Sequence, residues 1–198
     1  MNFSKEIYQK IWDAALPYQD KRDDAGHAEI VTNFALKLCK IEDVNEEIVI
    51  PAAILHDIGW SQLSDKERFV IFYKKATKEE MLHIRLRHQE EGVKLAKKIL
   101  EDVGYTSGSI RKIVEIISEH DTRKVFLSKE DGIMRDADKL WCFSKLGLGA
   151  DHRRRKEGFS SYFKQLKENI DNRSFFFSES ARKIARKEIE INKKGLGF

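Results

Sequence analysis

The sequence predicts an all-α protein, on two observations. Its 198 residues include only two prolines, Pro17 and Pro51, and eleven glycines. Its apolar residues also recur at intervals of three and four along most of the chain, the spacing of one face of a helix. Hydrophobic residues make up 41% of the total, enough to fill one sizeable core, so a single domain over 1–198 is expected.

The elements follow in order. "MNFSKEIYQKIWDAAL" carries charge in every turn and reads as an amphipathic helix, not as a signal peptide. Ile30, Val31, Phe34, Ala35 and Leu38 form one apolar stripe, opened by His27. "EEIVIPAAILHD" is a helix provided that Pro51 lies in its first turn, and it is expected to end near Gly59. Ser64 with Glu67 and Thr77 with Glu80 have capping-box spacing, which predicts short helices between 61 and 82.

Val93, Leu95, Ala96, Ile99 and Leu100 make a second stripe, opened by His88. After "TSGS", residues Ile110, Ile113, Val114 and Ile117 lead to His120, and another helix covers "GIMRDADKLWCFSKLG". Beyond Gly149 the character changes. "DHRRRKEGF" reads as a basic turn with Arg153 to Lys156 solvated, and two C-terminal helices follow in "SSYFKQLKENI" and "SESARKIARKEIEINKK".

Lys plus Arg exceeds Asp plus Glu by 37 to 33, a net charge of +4, which makes no demand for nucleic acid. The longest apolar run, "IVIPAAIL", is too short to span a bilayer, so no membrane partner is expected and a cytoplasmic protein is the default. Cys39 and Cys142 lack CxxC spacing and read as buried thiols.

The chemistry-bearing residues gather at predicted helix ends: His27, His56, Asp57, His88, His120 and Asp138. Helix ends can converge on one pocket in a bundle. Asp57 follows the apolar "PAAIL" and Asp138 lies between Ala137 and Leu140. A carboxylate buried in such a setting is costly without a cation or hydrogen-bond donors. Imidazole and carboxylate suit Mn, Fe, Ni, Zn or Mg, whereas the lack of thiolates argues against structural zinc. His27, His56, Asp57 and Asp138 would surround one divalent ion. With Asp57 bridging, His88 and His120 would serve a second, and a mononuclear centre would omit those two. The chain has a second His-Asp pair at 120 and 121, of which this set takes the histidine. His83, five residues before His88, points away from it on a continuous helix.

His27, "AAILHDIGW" and "RDADKL" together resemble the HD superfamily of metal-dependent phosphohydrolases, from about Asp23 to Gly147. The resemblance implies an HD-domain helical bundle, here with two additional C-terminal helices over 149–198. It also implies metal ligation by His27, His56, Asp57 and Asp138 and hydrolysis of a small phosphorylated substrate, often a nucleotide. His88 and His120 fall where the dinuclear subset has two further ligands. That subset also includes di-iron oxygenases, so an oxygenase is the alternative, with a non-catalytic signalling module as a third reading.

Several dinuclear members read HDxGK, with a substrate-holding lysine where this chain has Trp60. The cation must then come from Lys139, Arg87, Arg85, Arg123 or Lys124. Lys139 and Arg87 are taken, with Asp57, as the catalytic set. Asp57 would orient or bridge a metal-activated hydroxide while one of these cations holds the phosphate.

Overall fold

The computed structural model describes residues 1, 3–73, 75–155, 159–172 and 174–195, with the side chains of 155, 159 and 193–195 left aside. Among the described residues there are ten α-helices and no strand. They are α1 (Glu6–Ala15), α2 (His27–Ile41), α3 (Glu46–Leu55), α4 (Asp65–Val70), α5 (Lys78–Asp102), α6 (Ser107–Ile117), α7 (Lys129–Leu140), α8 (Lys145–Arg155), α9 (Phe159–Asp171) and α10 (Glu179–Gly195). None is long and apolar enough to cross a membrane.

The centre is α3, where every residue from Ile48 to Leu55 is buried. A helix apolar on all sides can only be covered on all sides. Helices α2, α6 and α7 pack around it, α1 closes one flank, and α5 lies against α6. The Asn45 side chain caps α3 by accepting from the Glu47 N–H at 3.0 Å. Pro51 lies inside α3 and not in its first turn. The carbonyl that its ring leaves without a donor belongs to Glu47, which is exposed, so water can serve it and the helix survives.

Helix α3 stops at Leu55 and not near Gly59. Asp57 takes φ −104° and ψ 2°, between the helical and extended regions, and a 3-10 segment runs on over Ile58–Gln62. Gly59 is a close-approach residue instead of a cap. A Cβ there would lie 1.9 Å from the His88 carbonyl oxygen and 2.4 Å from the Gly92 nitrogen, because the 3-10 segment is pressed backbone to backbone onto α5.

Both capping boxes form, at Ser64–Glu67 for α4 and Thr77–Glu80 for α5. The second starts a helix that runs unbroken to Asp102, so His88 lies mid-helix and does not open one. The apolar stripe does not reveal this stretch, because Leu82 and Leu86 on the first turns of α5 face solvent.

The helix expected over "GIMRDADKLWCFSKLG" is split. It ends at Leu140, passes through a 3-10 turn at Trp141–Phe143, and restarts as α8, where the Ser144 hydroxyl accepts from the Gly147 N–H at 3.1 Å. Helix α8 also corrects the basic turn: Arg153 and Arg154 are helical, and Arg154 is mostly buried. Its guanidinium donates to the carbonyls of Arg22 and Asp23 at 2.7 and 2.8 Å, which offsets its removal from water. Lys156 lies outside the described residues. The two C-terminal helices are present as α9 and α10, and α10 docks on α7. There the buried Asp136 accepts from the N–H groups of Phe177 and Ser178 and from the Ser178 hydroxyl. Of the two aspartates in "RDADKL", Asp136 therefore anchors the extension.

Candidate metal centre

Four histidines converge because of how their helices end or pack. His56 follows the last residue of α3, and His120 lies just beyond α6. In each, the ring Nδ1 pairs with the carbonyl three residues back, Ala53 at 2.9 Å and Ile117 at 2.8 Å. Each carbonyl holds Nδ1 as an N–H donor, which turns Nε2 inward. His27 is the first residue of α2, turned in by Gly26 at φ 86°, and its ring meets Trp141 edge-on at 5.0 Å. His88 projects from the middle of α5 and stacks on Trp60 at 3.9 Å.

Asp57 lies between them with its two oxygens divided. Oδ2 is 3.3 Å from His27 Nε2 and 3.7 Å from His56 Nε2, while Oδ1 is 3.4 Å from His120 Nε2 and 3.7 Å from His88 Nε2. Asp138, in the last turn of α7, places Oδ1 3.5 Å from both His27 and His56. The structure thus brings all six expected ligands together. Three groups of donor atoms are close enough to hold an ion: His27–His56–Asp138, His56–Asp57–His120, and His88–His120–Asp121.

Asp121 is a member that the sequence reading left out. Its Oδ2 lies 3.7 Å from His88 Nε2 and 3.1 Å from Arg85 Nη1, and its N–H donates to Gln89 Oε1 at 3.1 Å. The available signal was the second His-Asp pair. Arg22 was missed as well: it ion-pairs with Asp57 Oδ2 at 2.5 Å and its guanidinium lies 4.3 Å over the Trp60 ring. The indole N–H of Trp60 donates to Asp57 Oδ1 at 3.0 Å.

The expected cations are placed elsewhere. Arg87 pairs with Glu67, and Lys139 donates to the Phe175 carbonyl between the rings of Phe126 and Phe175. Neither contact is with the His–Asp cluster. Arg123 pairs with Asp131 at 3.4 Å and Glu119 at 3.1 Å. Of these candidates Arg85 reaches the cluster, through Asp121.

The electrostatics favour cations. Burial alone would raise the Asp57 carboxyl, but Arg22 and His56 hold it well below the ordinary carboxylate range. Asp138 is likewise lowered against burial by His56 and His27. For His56, burial is outweighed by Asp57 and Asp138, which push the ring up to about 9. His88 goes the other way: burial, opposed only partly by Asp121, pushes it down to about 3, so it stays neutral.

These residues fit a divalent metal. The donors are imidazole and carboxylate, and among the described residues the buried His88 has no hydrogen-bond partner on either ring nitrogen. A buried imidazole with both nitrogens unpaired is costly, and an ion on Nε2 would offset that cost. His27, His56 and Asp138 would hold one ion, His88, His120 and Asp121 a second, with Asp57 between. Metal analysis of His88→Ala and His120→Ala is expected to show less metal per chain than the parent. Equal content in all three would mean a mononuclear centre.

The HD domain family matches residues 24–140. The fold is similar to the crystal structure of a "predicted HD superfamily hydrolase" from an uncultured Thermotogales bacterium, with a TM-score of 0.59 and 21% identity over 96% of this chain and 87% of that one. No curated protein matches the chain.

Proposed function

The chain belongs to the HD domain family, and on that premise we propose that it is a metal-dependent phosphohydrolase acting on a small phosphate ester such as a nucleotide. The division of the Asp57 oxygens, one toward His27 and His56 and the other toward His88 and His120, carries this reading. A divalent metal bound there supplies Lewis acidity toward phosphoryl oxygens and makes hydroxide available near neutral pH.

The protein's own groups do the rest. The Ala53 and Ile117 carbonyls keep the His56 and His120 rings in one tautomer and one orientation. Trp60 holds Asp57 through its indole N–H and covers the His88 ring, which keeps that side of the site dry. Positive charge from Arg22 and Arg85 surrounds the cluster, where an anionic ester would dock.

The test is a panel of nucleotides and generic phosphate esters, with Mn, Ni, Mg or Co added. Release of phosphate from at least one ester is expected. If no member is hydrolysed with any metal, the reading fails, and oxygen uptake by a reduced, iron-loaded form would support the oxygenase alternative.

A further inference from the structure

Beside the cluster, the loop "KRDDAG" is built with unusual care. Asp20 and Asp23 take positive φ values of 54° and 57°, a region that side chains enter at some cost. The Asp20 carboxylate secures the far end by accepting from the N–H groups of Gly26 at 2.7 Å and Ala28 at 3.1 Å. Asp24, itself buried, accepts from the Arg22 N–H at 2.9 Å, and its other oxygen lies 3.3 Å from Arg22 Nε. The loop therefore fixes the Arg22 backbone and braces its guanidinium with Asp24.

The Arg22 side chain is only 12% exposed, with its guanidinium carbon 4.3 Å over the Trp60 ring and one Nη on Asp57. From above, Arg154 of α8 donates to the carbonyls of Arg22 and Asp23, approaches Asp24 at 3.9 Å, and packs on Phe72. Arg154 in turn is set by Asp151 at 3.5 Å, whose other oxygen accepts from the Tyr162 hydroxyl at 2.6 Å. Arg22 and Arg154 both lie outside the stretch that the family match covers, 24–140.

We propose that Arg22 holds the phosphoryl group of the substrate, and that Arg154 is the positioning residue that keeps Arg22 aimed at it. A guanidinium is a planar fork of five donors, and Asp57 and Asp24 engage only part of it. An anion beside Asp57 meets the remaining N–H groups at fixed geometry. The Trp60 face keeps the fork from swinging away, so a residue that supplies no charge itself orients one that does. The C-terminal extension thereby becomes part of the substrate site.

The inference rests on the phosphohydrolase reading, and calorimetry with inorganic phosphate on the manganese-loaded chain separates the two. Arg22→Gln keeps a donor for Asp57 and removes the charge. Its phosphate affinity is expected to fall roughly 10- to 100-fold, with metal content unchanged. Arg154→Ala is expected to give a smaller loss that is not additive with Arg22→Gln, since both act through one group. Additive losses would remove Arg154 from the positioning role. If the parent binds phosphate and Arg22→Gln binds it equally well, the inference on Arg22 is overturned while the hydrolase reading stands. If the parent neither binds phosphate nor releases it from any ester, both fall.

Discussion

Asp57→Ala is expected to lose metal and activity together. Asp57 is the carboxylate that faces both histidine pairs, so its removal would take a candidate ligand from each position at once. Loss of residues that merely orient ligands weakens metal binding by about 10- to 100-fold, and loss of a shared ligand should exceed the upper end of that range. The substitution also strands Arg22 and the Trp60 indole N–H, both of which donate to this side chain. The check is metal content after dialysis, with circular dichroism to show that the helices persist. A folded Asp57→Ala chain that binds metal like its parent would mean that the centre is wrongly assigned.

Gly59→Ala should be the second severe change, although Gly59 itself offers no donor atom to a metal. The added methyl would meet the His88 carbonyl oxygen at 1.9 Å and the Gly92 backbone at 2.4 Å, and neither is the free end of a flexible side chain. Relief requires the 3-10 segment and α5 to separate, which moves Asp57 away from His88. Overpacking of this kind costs about 3 kcal/mol or more, and a chain of this length would melt about 6–12 °C lower. Gly92→Ala is the control. Its methyl would find Gly59 and the His56 carbonyl at 3.6 Å, an ordinary contact, so stability should be unchanged or higher by about 0.5–1 kcal/mol. Melting curves of the two variants decide the matter, and equal stability would refute the close-approach role of Gly59.

Much of the architecture was legible because it is local. Helix periodicity, the two capping boxes and the C-terminal pair depend on residues three or four apart, and the helices formed where that spacing is clean. Where it is not, boundaries moved. The solvent-facing Leu82 and Leu86 concealed the first turns of α5, and the charges of "DHRRR" concealed a helix, because Arg154 is buried by contacts more than 100 positions away in the chain.

The candidate site divides along the same line. His27, His56, Asp57, His88, His120 and Asp138 could be singled out from the sequence because residue type and position near helix ends suffice to nominate ligands. Asp121 was signalled only by the second His-Asp pair and Arg22 by nothing in the pattern, since their roles rest on partners far along the chain. Asp121 meets Arg85 on α5, and Arg22 meets Asp57 while its carbonyl accepts from Arg154 of α8. The same applies to Trp60. In the sequence it marks the loss of a lysine, whereas in the fold its indole steadies Asp57 on one edge and Arg22 on one face.

By itself, then, the sequence determined the all-α class, the family resemblance and the six nominated metal ligands, all consequences of short-range pattern. Only the tertiary structure decided which cation stands at the centre and why Gly59 has no side chain. Ion pairs and backbone contacts across 29 to 35 residues arise from how helices pack, and no local periodicity encodes them.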